Sequence, residues 1–287
     1  MPVRDDLGTR MKEYYEFIPK TKLMRRCPVA IRIDGKSFHT FARGFQKPFD
    51  EILIETMQET MKYLCENIQG CVFGYTQSDE ITLILVDYQK LNSSAFFDYE
   101  VQKLCSISAS MATMAFNKFF RINVDEWCSK NKLSFIPYMN DDKDTELVKI
   151  FHTYWDAVHK GAMFDARCFN IPKEEVANLI YWRQDDASRN SIQMVGQANF
   201  SHKELQHKSN SQIQDMLMLE KGINWNDFPT HQKRGSCCIK EFYQDEYVDI
   251  KDGPCIRSRW IIDKEIPIFK GEDRNYIERF IYVGEDD

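Results

Sequence analysis

An apolar segment near the start of the chain alternates with other residues in the manner of a strand. Val29, Ile31 and Ile33 are separated by single positions, and an Asp34-Gly35 pair follows them. Alternation with a period of two is typical of a β-strand, and Asp-Gly favours a sharp turn. We therefore predict a first strand that ends at Asp34.

A helical pattern follows over residues 49–67. Ile54, Met57, Met61 and Leu64 recur at spacings of three and four residues, and the opposite side of the pattern is charged. Such spacing places the apolar side chains in one stripe along a helix. We expect this helix to cover one face of a sheet.

Two short β-rich runs and two further elements complete the pattern. Residues 71–75 and 81–86 are separated by a polar tip, which is the layout of a hairpin. A second long helix is predicted over residues 95–120, a strand over residues 162–171, and another helix from Pro172. The resulting α+β order, βαββαβ, is that of a ferredoxin-like or polymerase-palm domain.

The composition changes after residue 181, first to helical segments rich in Gln, Ser, Asn and His, then to an acidic, strand-like end. We therefore predict a palm-like catalytic domain over residues 1–175. A helical and β extension over residues 176–287 is expected to pack on it.

The net charge of −6 over 287 residues is unevenly distributed. Residues 241–287 hold 13 acidic and 7 basic side chains, so the remainder of the chain is neutral. Residues 20–47 hold eight basic side chains against the single acid Asp34. The average charge argues against a nucleic-acid partner, whereas this local excess around Asp34 suits phosphate groups.

The chain begins without the apolar segment of a signal peptide, and no stretch reaches the roughly 18 apolar residues of a membrane span. Its nine cysteines include no C-x-x-C pair. We expect a soluble cytoplasmic protein with reduced thiols, without a zinc site and without a membrane partner.

Carboxylates are predicted to meet where the first strand ends beside the hairpin tip. Asp34 ends that strand, and Asp79 and Glu80 lie at the tip or just beyond it. Mg²⁺ takes one or two carboxylates and leaves its other positions to water and substrate phosphates, so a pair of ions here could serve an in-line transfer. Gly35 allows close approach of a phosphate, and Lys36 adds positive charge. From spacing alone, an ordinary turn and a solvated hairpin tip remain open interpretations.

Two motifs carry a family resemblance, RIDGKSFH at residues 32–39 and YTQSDE at residues 75–80. With both in this order, the chain resembles the tRNA-histidine guanylyltransferase superfamily, the reverse (3′-to-5′) polymerases. The resemblance continues through Lys103, residues 164–167 and residues 181–184, and more loosely through Lys233-Arg234-Gly235. It covers the first two thirds of the chain well and the tail poorly.

The resemblance implies a metal centre with two Mg²⁺ ions. Asp34 and Asp79 match the metal-binding carboxylates, and the Gly35 carbonyl matches an additional backbone ligand. Glu80 matches an acidic position of the family, so the implied catalytic residues are Asp34, Asp79 and Glu80.

The resemblance also implies a nucleotide site. The segment along the triphosphate comprises Asp34, Gly35, Lys36, Ser37, Phe38 and His39, with Ser78 and Asp79 opposite it. Arg25, Arg26 and Lys103 are further candidates for phosphate contacts, because cationic side chains match phosphate oxygens. Each of these three also suits a solvated surface, and His39 also suits a polar core.

By resemblance, ATP activates a tRNA 5′-monophosphate as a 5′-adenylylate, or a 5′-triphosphate is used directly. The 3′-hydroxyl of an incoming nucleotide such as GTP then attacks that 5′ end. Both steps are nucleotidyl transfers that depend on positioning and on charge stabilisation. The implied partners are tRNA and nucleoside triphosphates, and the implied assembly is a homotetramer.

Seven residues of the predicted extension are candidates for contacts with tRNA. Phosphate neutralisation dominates RNA affinity, and A-form RNA is read mainly by shape. Taken singly, each candidate also fits an ordinary surface residue. The seven are Arg183, Arg189, Asn190, Lys203, Lys208, Lys233 and Arg234.

One departure from the family pattern bears on the substrate. Members that mature histidine tRNA carry a His-Ile-Asn-Asn motif soon after Trp-Arg-Gln, whereas here the run is Ser188-Arg189-Asn190-Ser191. Only Asn190 matches. The chain therefore resembles the guanylyltransferase-like branch, which is associated with template-dependent repair of 5′-truncated tRNA.

Three other functions remain as alternatives. The first is addition of guanylate to histidine tRNA, and the second is another palm-type activity such as that of a nucleotide cyclase. The third is a catalytically silent, RNA-binding palm module. Replacement of Asp34 or Asp79 would favour the third, and both residues are present.

Overall fold

The computed structural model describes residues 6–133, 146–245 and 255–283. All six strands of these residues form one antiparallel sheet in the order β4-β1-β3-β2-β5-β6. The strands are β1 (Val29–Gly35), β2 (Cys71–Gln77), β3 (Glu80–Leu85), β4 (Phe164–Asn170), β5 (Ser236–Asp245) and β6 (Cys255–Asp263).

Helices cover both faces of the sheet. The α-helices are α1 (Asp6–Met11), α2 (Phe38–Phe41), α3 (Glu51–Asn67), α4 (Val101–Lys130), α5 (Glu146–Lys160), α6 (Lys173–Asn199), α7 (His202–Leu205), α8 (Asn210–Met216), α9 (Thr230–Arg234) and α10 (Asn275–Glu278). Single π turns span Lys12–Glu16 and Leu217–Lys221, and 3₁₀ turns span Phe96–Tyr99, Trp225–Asp227 and Gly271–Arg274. None of the helices in the described part of the chain is long and apolar enough to cross a membrane.

The first four strands and the helices between them confirm the predicted βαββαβ palm-type fold. The chain order is β1, α3, β2, β3, α4, β4, with the short helix α2 after β1 and the helix α5 before β4. The central order β4-β1-β3-β2 follows from pairing of β1 with both β3 and β4. As a result, the end of β1 lies between its two neighbours in the sheet.

Alternate residues of β1 face two different layers of the fold. Ile31 and Ile33 pack into a core with Met57 and Met61 of α3 and with residues of α4 and α5. Ala30 instead belongs to a second core beneath α6 and the C-terminal segment. Because successive side chains of a strand alternate between faces, the even-numbered residues of β1 share the α6 face.

The second long helix begins and ends later than the sequence pattern predicts. A 3₁₀ turn precedes α4, and in it Phe97, Asp98 and Tyr99 have φ values of 47°, 50° and 55°. These left-handed conformations are incompatible with an α-helix. The sequence pattern also leaves α5 unpredicted, although Val148, Phe151 and other apolar residues there recur at helical spacing.

The C-terminal strands extend the same sheet. β5 pairs with β2 over Ser236, Cys237 and Cys238. Beyond that point, among the described residues, β5 and β6 pair only with each other. Helix α6 begins at Lys173 and packs on the sheet, so it crosses residue 175. A division of the chain at that residue stays a prediction. The eight cysteines whose side chains are described are free thiols.

Candidate active site

Three carboxylates occupy one row across three adjacent strands of the sheet, at the end of β1. Asp34 lies at the end of β1, directly opposite Glu80 of β3 and Asp165 of β4. Directly opposed residues in antiparallel strands have Cβ atoms about 4.5–5.5 Å apart and share a face. The carboxylates of Asp34, Glu80 and Asp165 are therefore on the α6 face of the sheet.

Asp79 joins this row from the turn between β2 and β3. The backbone N–H of Gly35 donates to the Asp79 carbonyl oxygen at 3.1 Å, which fixes the turn beside the end of β1. Ser78 has a left-handed φ of 49°, and its hydroxyl donates to the Asp79 carboxylate at 2.9 Å. The structure thus brings Asp34, Asp79 and Glu80 together, and their catalytic roles stay predictions.

Burial and mutual repulsion raise the pKa of the two candidate metal ligands. Burial raises the pKa of Asp34, and the nearby carboxylates of Glu80 and Asp165 raise it further. Burial also raises the pKa of Asp79, although the hydrogen bond from Ser78 acts in the opposite direction and lowers it. Both groups would be stabilised as anions by a nearby cation.

The donor set at this position fits Mg²⁺. Carboxylate oxygens and backbone carbonyls are the ligands that hard divalent cations take, and Mg²⁺ keeps further positions for water and phosphate. In the described residues, no group of three or more His, Cys, Asp or Glu side chains is arranged to hold a metal by itself. A magnesium site here would therefore rest on Asp34, Asp79, the Gly35 carbonyl and oxygens supplied by the substrate.

Gly35 is required by the packing of the segment that follows it. A Cβ atom at this position would lie 2.1 Å from the Phe38 ring. Phe38 is buried against Phe41, Phe116 and Phe164, with ring centroids 5.0–5.4 Å apart. Of the predicted nucleotide-binding residues, Phe38 can therefore offer a ligand only its backbone.

The rest of this segment is open to solvent. Lys36, Ser37 and His39 are exposed. The backbone N–H of Lys36 donates to the Met163 carbonyl oxygen at 2.8 Å, and Ser37 has a φ of 55°. The turn after β1 is therefore anchored by its backbone, while the lysine and histidine side chains remain accessible beside Asp34.

Glu80 differs from its neighbours because two arginines hold it. Nη2 of Arg183 lies 2.6 Å from Glu80 Oε2, and Nη2 of Arg32 lies 3.4 Å from the same oxygen. Arg183 also pairs with Asp186 at 2.6 Å. The charge of Glu80 is therefore balanced within the protein, unlike that of Asp34.

Arg183 corrects one sequence-based expectation. Its side chain is only 7% exposed, because it lies on the inner face of α6 and points at β3. Lys233 is likewise buried, and its ammonium donates to the Asn226 carbonyl oxygen at 2.5 Å. Burial lowers the pKa of Lys233. Neither charge is presented on the surface as expected for contact with tRNA.

The other candidates for RNA contact lie nearer to solvent. Arg189, Asn190, Lys203 and Lys208 are exposed, and Arg189 pairs with Asp185 at 3.4 Å. Arg234 is half-buried, with its guanidinium carbon 6.0 Å from the Trp225 ring centroid. Their role in binding tRNA stays a prediction.

Arg25, Arg26 and Lys103 lie at the other end of β1. Arg25 pairs with Asp87 and Asp98, and the backbone N–H of Arg26 donates to Asp87. Lys103 Nζ lies 5.6 Å from the ring centroid of Phe97, the residue before Asp98. From Val29 to Asp34 the strand extends about 17 Å at ~3.3 Å per residue. Within one chain, the structure does not bring these three cations together with Asp34.

A cleft with a volume of about 100 Å³ adjoins Ser78 and Asn190. Its wall includes Asp50, a buried carboxyl that caps α3 by accepting from the backbone N–H of Leu53 at 2.9 Å. Burial raises the pKa of Asp50. Neither Asp50 nor Asp165 is among the site residues predicted from the sequence. Asp165 could have been found only from the register of β4 against β1, and that register cannot be derived before the order of the strands in the sheet is known.

Fold and site together define a palm-type nucleotidyltransferase. The chain belongs to the tRNAHis guanylyltransferase family, Thg1, whose model matches residues 8–172.

Two known structures and one curated relative support this membership. A bacterial tRNA(His) guanylyltransferase-like protein, solved in complex with ATP, is 43% identical to this chain and superposes with a TM-score of 0.75. The match covers 96% of this chain and 99% of the bacterial one. Another, solved in complex with GTP, is 40% identical, with a TM-score of 0.72 and coverage of 97% and 100%. The tRNA(His) guanylyltransferase of Saccharomyces cerevisiae is 25% identical over 233 residues, which are 76% of this chain and 85% of the yeast protein.

Proposed function

We propose that this protein adds nucleotides in the 3′-to-5′ direction to the 5′ end of tRNA and that its task is template-dependent repair of 5′-truncated tRNA. The observation that carries the proposal is the meeting of Asp34, Asp79 and the Gly35 backbone at the ends of adjacent strands. The similar proteins bound to ATP and GTP support nucleoside triphosphates as substrates.

Asp34 and Asp79 would hold two Mg²⁺ ions together with the Gly35 carbonyl. When bound, such ions polarise a phosphoryl oxygen and stabilise the charge on the attacking and leaving oxygens. The chain itself supplies positioning: the Gly35–Asp79 backbone hydrogen bond fixes the two carboxylates relative to one another. Lys36 and His39 are exposed beside them and can contact the triphosphate and the base or ribose of the nucleotide.

The proton balance of the proposed transfer does not need a dedicated protein base. The 3′-hydroxyl of the incoming nucleotide forms a bond to the activated 5′ phosphorus, its proton passes to solvent, and AMP or pyrophosphate leaves. Phosphoryl transfer of this kind relies chiefly on alignment and electrostatic stabilisation. A pairing template base would align the incoming nucleotide.

The surface of α6 supports repair over recognition of histidine tRNA. In the run from Ser188 to Ser191, both serine hydroxyls donate to carbonyl oxygens of the same helix, at 3.0 and 2.8 Å. Only Arg189 and Asn190 are exposed there. The surface that a His-Ile-Asn-Asn motif would form is therefore absent from this helix, which supports Watson–Crick pairing with a template as the source of nucleotide choice.

Two RNA substrates and one template change test the proposal. The protein is incubated with Mg²⁺, ATP and labelled GTP, with a tRNA lacking its first nucleotide or with full-length histidine tRNA. We expect labelling of the truncated tRNA when a cytosine lies opposite the gap and loss of labelling when that base is changed to adenine. Preferential, template-independent labelling of histidine tRNA would instead establish the guanylate-adding activity.

We also propose that the protein acts in the cytoplasm as a homotetramer. Tyr14, Tyr15, Phe17 and Ile18 at the N-terminal end are each more than 60% exposed, and exposed apolar residues that lie together suit an interface between copies. Light scattering of the purified protein gives its mass, and a mass near 34 kDa would exclude the tetramer.

A further inference from the structure

Trp182 is exposed on the face of the sheet that carries the candidate active site. It lies on α6, next to the buried Arg183, and 48% of it remains accessible to solvent. Large aromatic side chains usually bury most of their surface in a core. The exposed part of the indole is therefore available to a ligand.

Two guanidinium groups lie close to the Trp182 ring. The guanidinium carbon of Arg183 lies 4.6 Å from the ring centroid, and that of Arg32 lies 5.4 Å from it. Both arginines are held by Glu80, at 2.6 and 3.4 Å respectively. The ring and its cationic neighbours are thus fixed before any ligand binds, which lowers the entropic cost of binding.

The position of Arg32 links this ring to the candidate active site. Arg32 and Asp34 are two residues apart on β1 and share a face, so their Cα atoms are about 6.6 Å apart along the strand. The reacting phosphate would lie at Asp34, and a nucleotide separates its phosphate from its base by one sugar. A base belonging to that nucleotide would reach the exposed side of Trp182.

We infer that Trp182, together with Arg32, forms a stacking site for the nucleobase of the nucleotide that reacts beside Asp34. The inference rests on the proposed function and adds the way in which that site holds its substrate. Aromatic rings stack on bases regardless of base identity, and an adjacent guanidinium adds a cation–π contribution. A repair enzyme whose added nucleotides are chosen by a template must accept every base, so it requires this tolerance of base identity.

The base has two possible sources, the nucleoside triphosphate and the 5′-terminal residue of the RNA. Both present the same π face to Trp182, so the structure defines the ligand chemistry and the experiment separates the sources. The RNA arm uses 5′-truncated tRNA with a normal or an abasic 5′-terminal residue. The nucleotide arm uses ATP and GTP.

Three single variants test the site. Trp182→Leu removes the aromatic face, and Trp182→Phe retains one. Trp260→Leu is the matched control, because Trp260 also lies beside a cation, with Lys240 Nζ 5.1 Å from its ring centroid. Trp260 packs on the α3 face and is four strand spacings from β1, about 19 Å. Circular dichroism establishes that each variant is folded.

Binding constants are measured by isothermal titration calorimetry for ATP and GTP and by fluorescence anisotropy for labelled RNA. Base–aromatic stacking predicts a loss of affinity of about 5- to 150-fold in Trp182→Leu for at least one ligand. Trp182→Phe should retain most of the affinity and Trp260→Leu all of it. A loss for ATP or GTP identifies the nucleotide base, and a loss for normal RNA that is absent for abasic RNA identifies the 5′-terminal base.

Unchanged affinity of Trp182→Leu for every ligand would overturn the inference, as would an equal loss in Trp260→Leu. Failure of the wild-type protein to extend truncated tRNA is a different result. It would overturn the proposed function, while a loss of ATP or GTP affinity confined to the Trp182 variants would still establish the stacking site.

Discussion

Arg183 and Glu80 form a buried ion pair between α6 and β3, with Nη2 and Oε2 2.6 Å apart. The pair holds the helix against the row of carboxylates that includes Asp34. Because Arg183 also binds Asp186, its charge is compensated on both sides. The structural consequence is that α6, together with Arg32 of β1, holds Glu80 in place beside the candidate metal ligands.

Loss of Arg183 should destabilise the protein strongly. Arg183→Ala leaves Glu80 only its longer contact with Arg32 and Asp186 only its exposed contact with Arg189. Breaking a buried pair on one side costs up to about 3–5 kcal/mol. Arg189→Ala is the matched control on the same helix. Its exposed ion pairs contribute at most about 1 kcal/mol. Urea unfolding measures both free energies, and a loss in Arg183→Ala no larger than that in Arg189→Ala would contradict this account of the pair.

The burial of Arg183 also shows what the sequence pattern could not reveal. Alternation along β1 and the polar hairpin tip are local signals that located Asp34 and Asp79 at the ends of strands, and the predicted βαββαβ order then placed those strands side by side. That Arg183 is buried depends on α6 crossing over Glu80, which is a contact between distant segments. An arginine in a polar helix is ordinarily exposed, so composition favoured the wrong placement.

Asp165 and α4 illustrate two other limits. Asp165 faces Asp34 only through the antiparallel register of β4 with β1, and a sequence does not display register. The late start of α4 follows from left-handed conformations at Phe97, Asp98 and Tyr99, and the two aromatic residues are of types that rarely adopt them. Local sequence patterns thus predicted the helices and strands. The pairing of strands and the unusual backbone conformations, which no local pattern shows, determined the position of Asp165 and the start of α4.

Gly35→Ala should destabilise the end of β1. The added methyl group would lie 2.1 Å from the Phe38 ring, which is held by other aromatic rings and cannot simply rotate away. Overpacking of this kind costs about 1–3 kcal/mol. A second substitution, Phe38→Leu, makes room for the methyl group. The double variant should therefore lose less stability than the two single variants lose together. Additive losses in thermal unfolding would show that the clash is not the cause.

Glu51 should contribute a pH-dependent part of the stability. Hydrogen bonding to His231 lowers the pKa of Glu51, and Gln232 also contributes. The unfolded chain therefore takes up this proton at a higher pH than the folded one. The contribution is complete above the unfolded pKa near 4.5 and is lost as the pH falls through the folded pKa.

Glu51→Gln measures that contribution. Because Glu51 is half exposed, the loss at pH 7 should not exceed about 1 kcal/mol, and it should shrink as the pH falls below about 4.5. Glu55→Gln, an exposed change one turn further along α3, provides the control. Urea unfolding across this pH range checks the sign, and a difference that grows in acid would contradict the assigned pairing.

Asp79→Asn should abolish nucleotide addition while leaving tRNA binding largely intact. The substitution keeps the size of the side chain and its contact with Ser78, but it removes one of the two carboxylates offered to Mg²⁺. A metal contribution of several kcal/mol to the transition state corresponds to a rate loss of about 100-fold or more. In the wild type, Mg²⁺ should raise the thermal midpoint of metal-free protein, since a ligand that binds only the folded state stabilises it.

Asp215→Asn serves as the matched control for this prediction, because Asp215 is an exposed carboxylate on α8. It should retain the wild-type rate of nucleotide addition and the wild-type response to Mg²⁺, whereas Asp79→Asn should lose both and still bind tRNA in an anisotropy assay. Nucleotide addition by Asp79→Asn at the wild-type rate would remove Asp79 from the metal centre. Loss of tRNA binding along with activity would mean that the residue supports the RNA site itself.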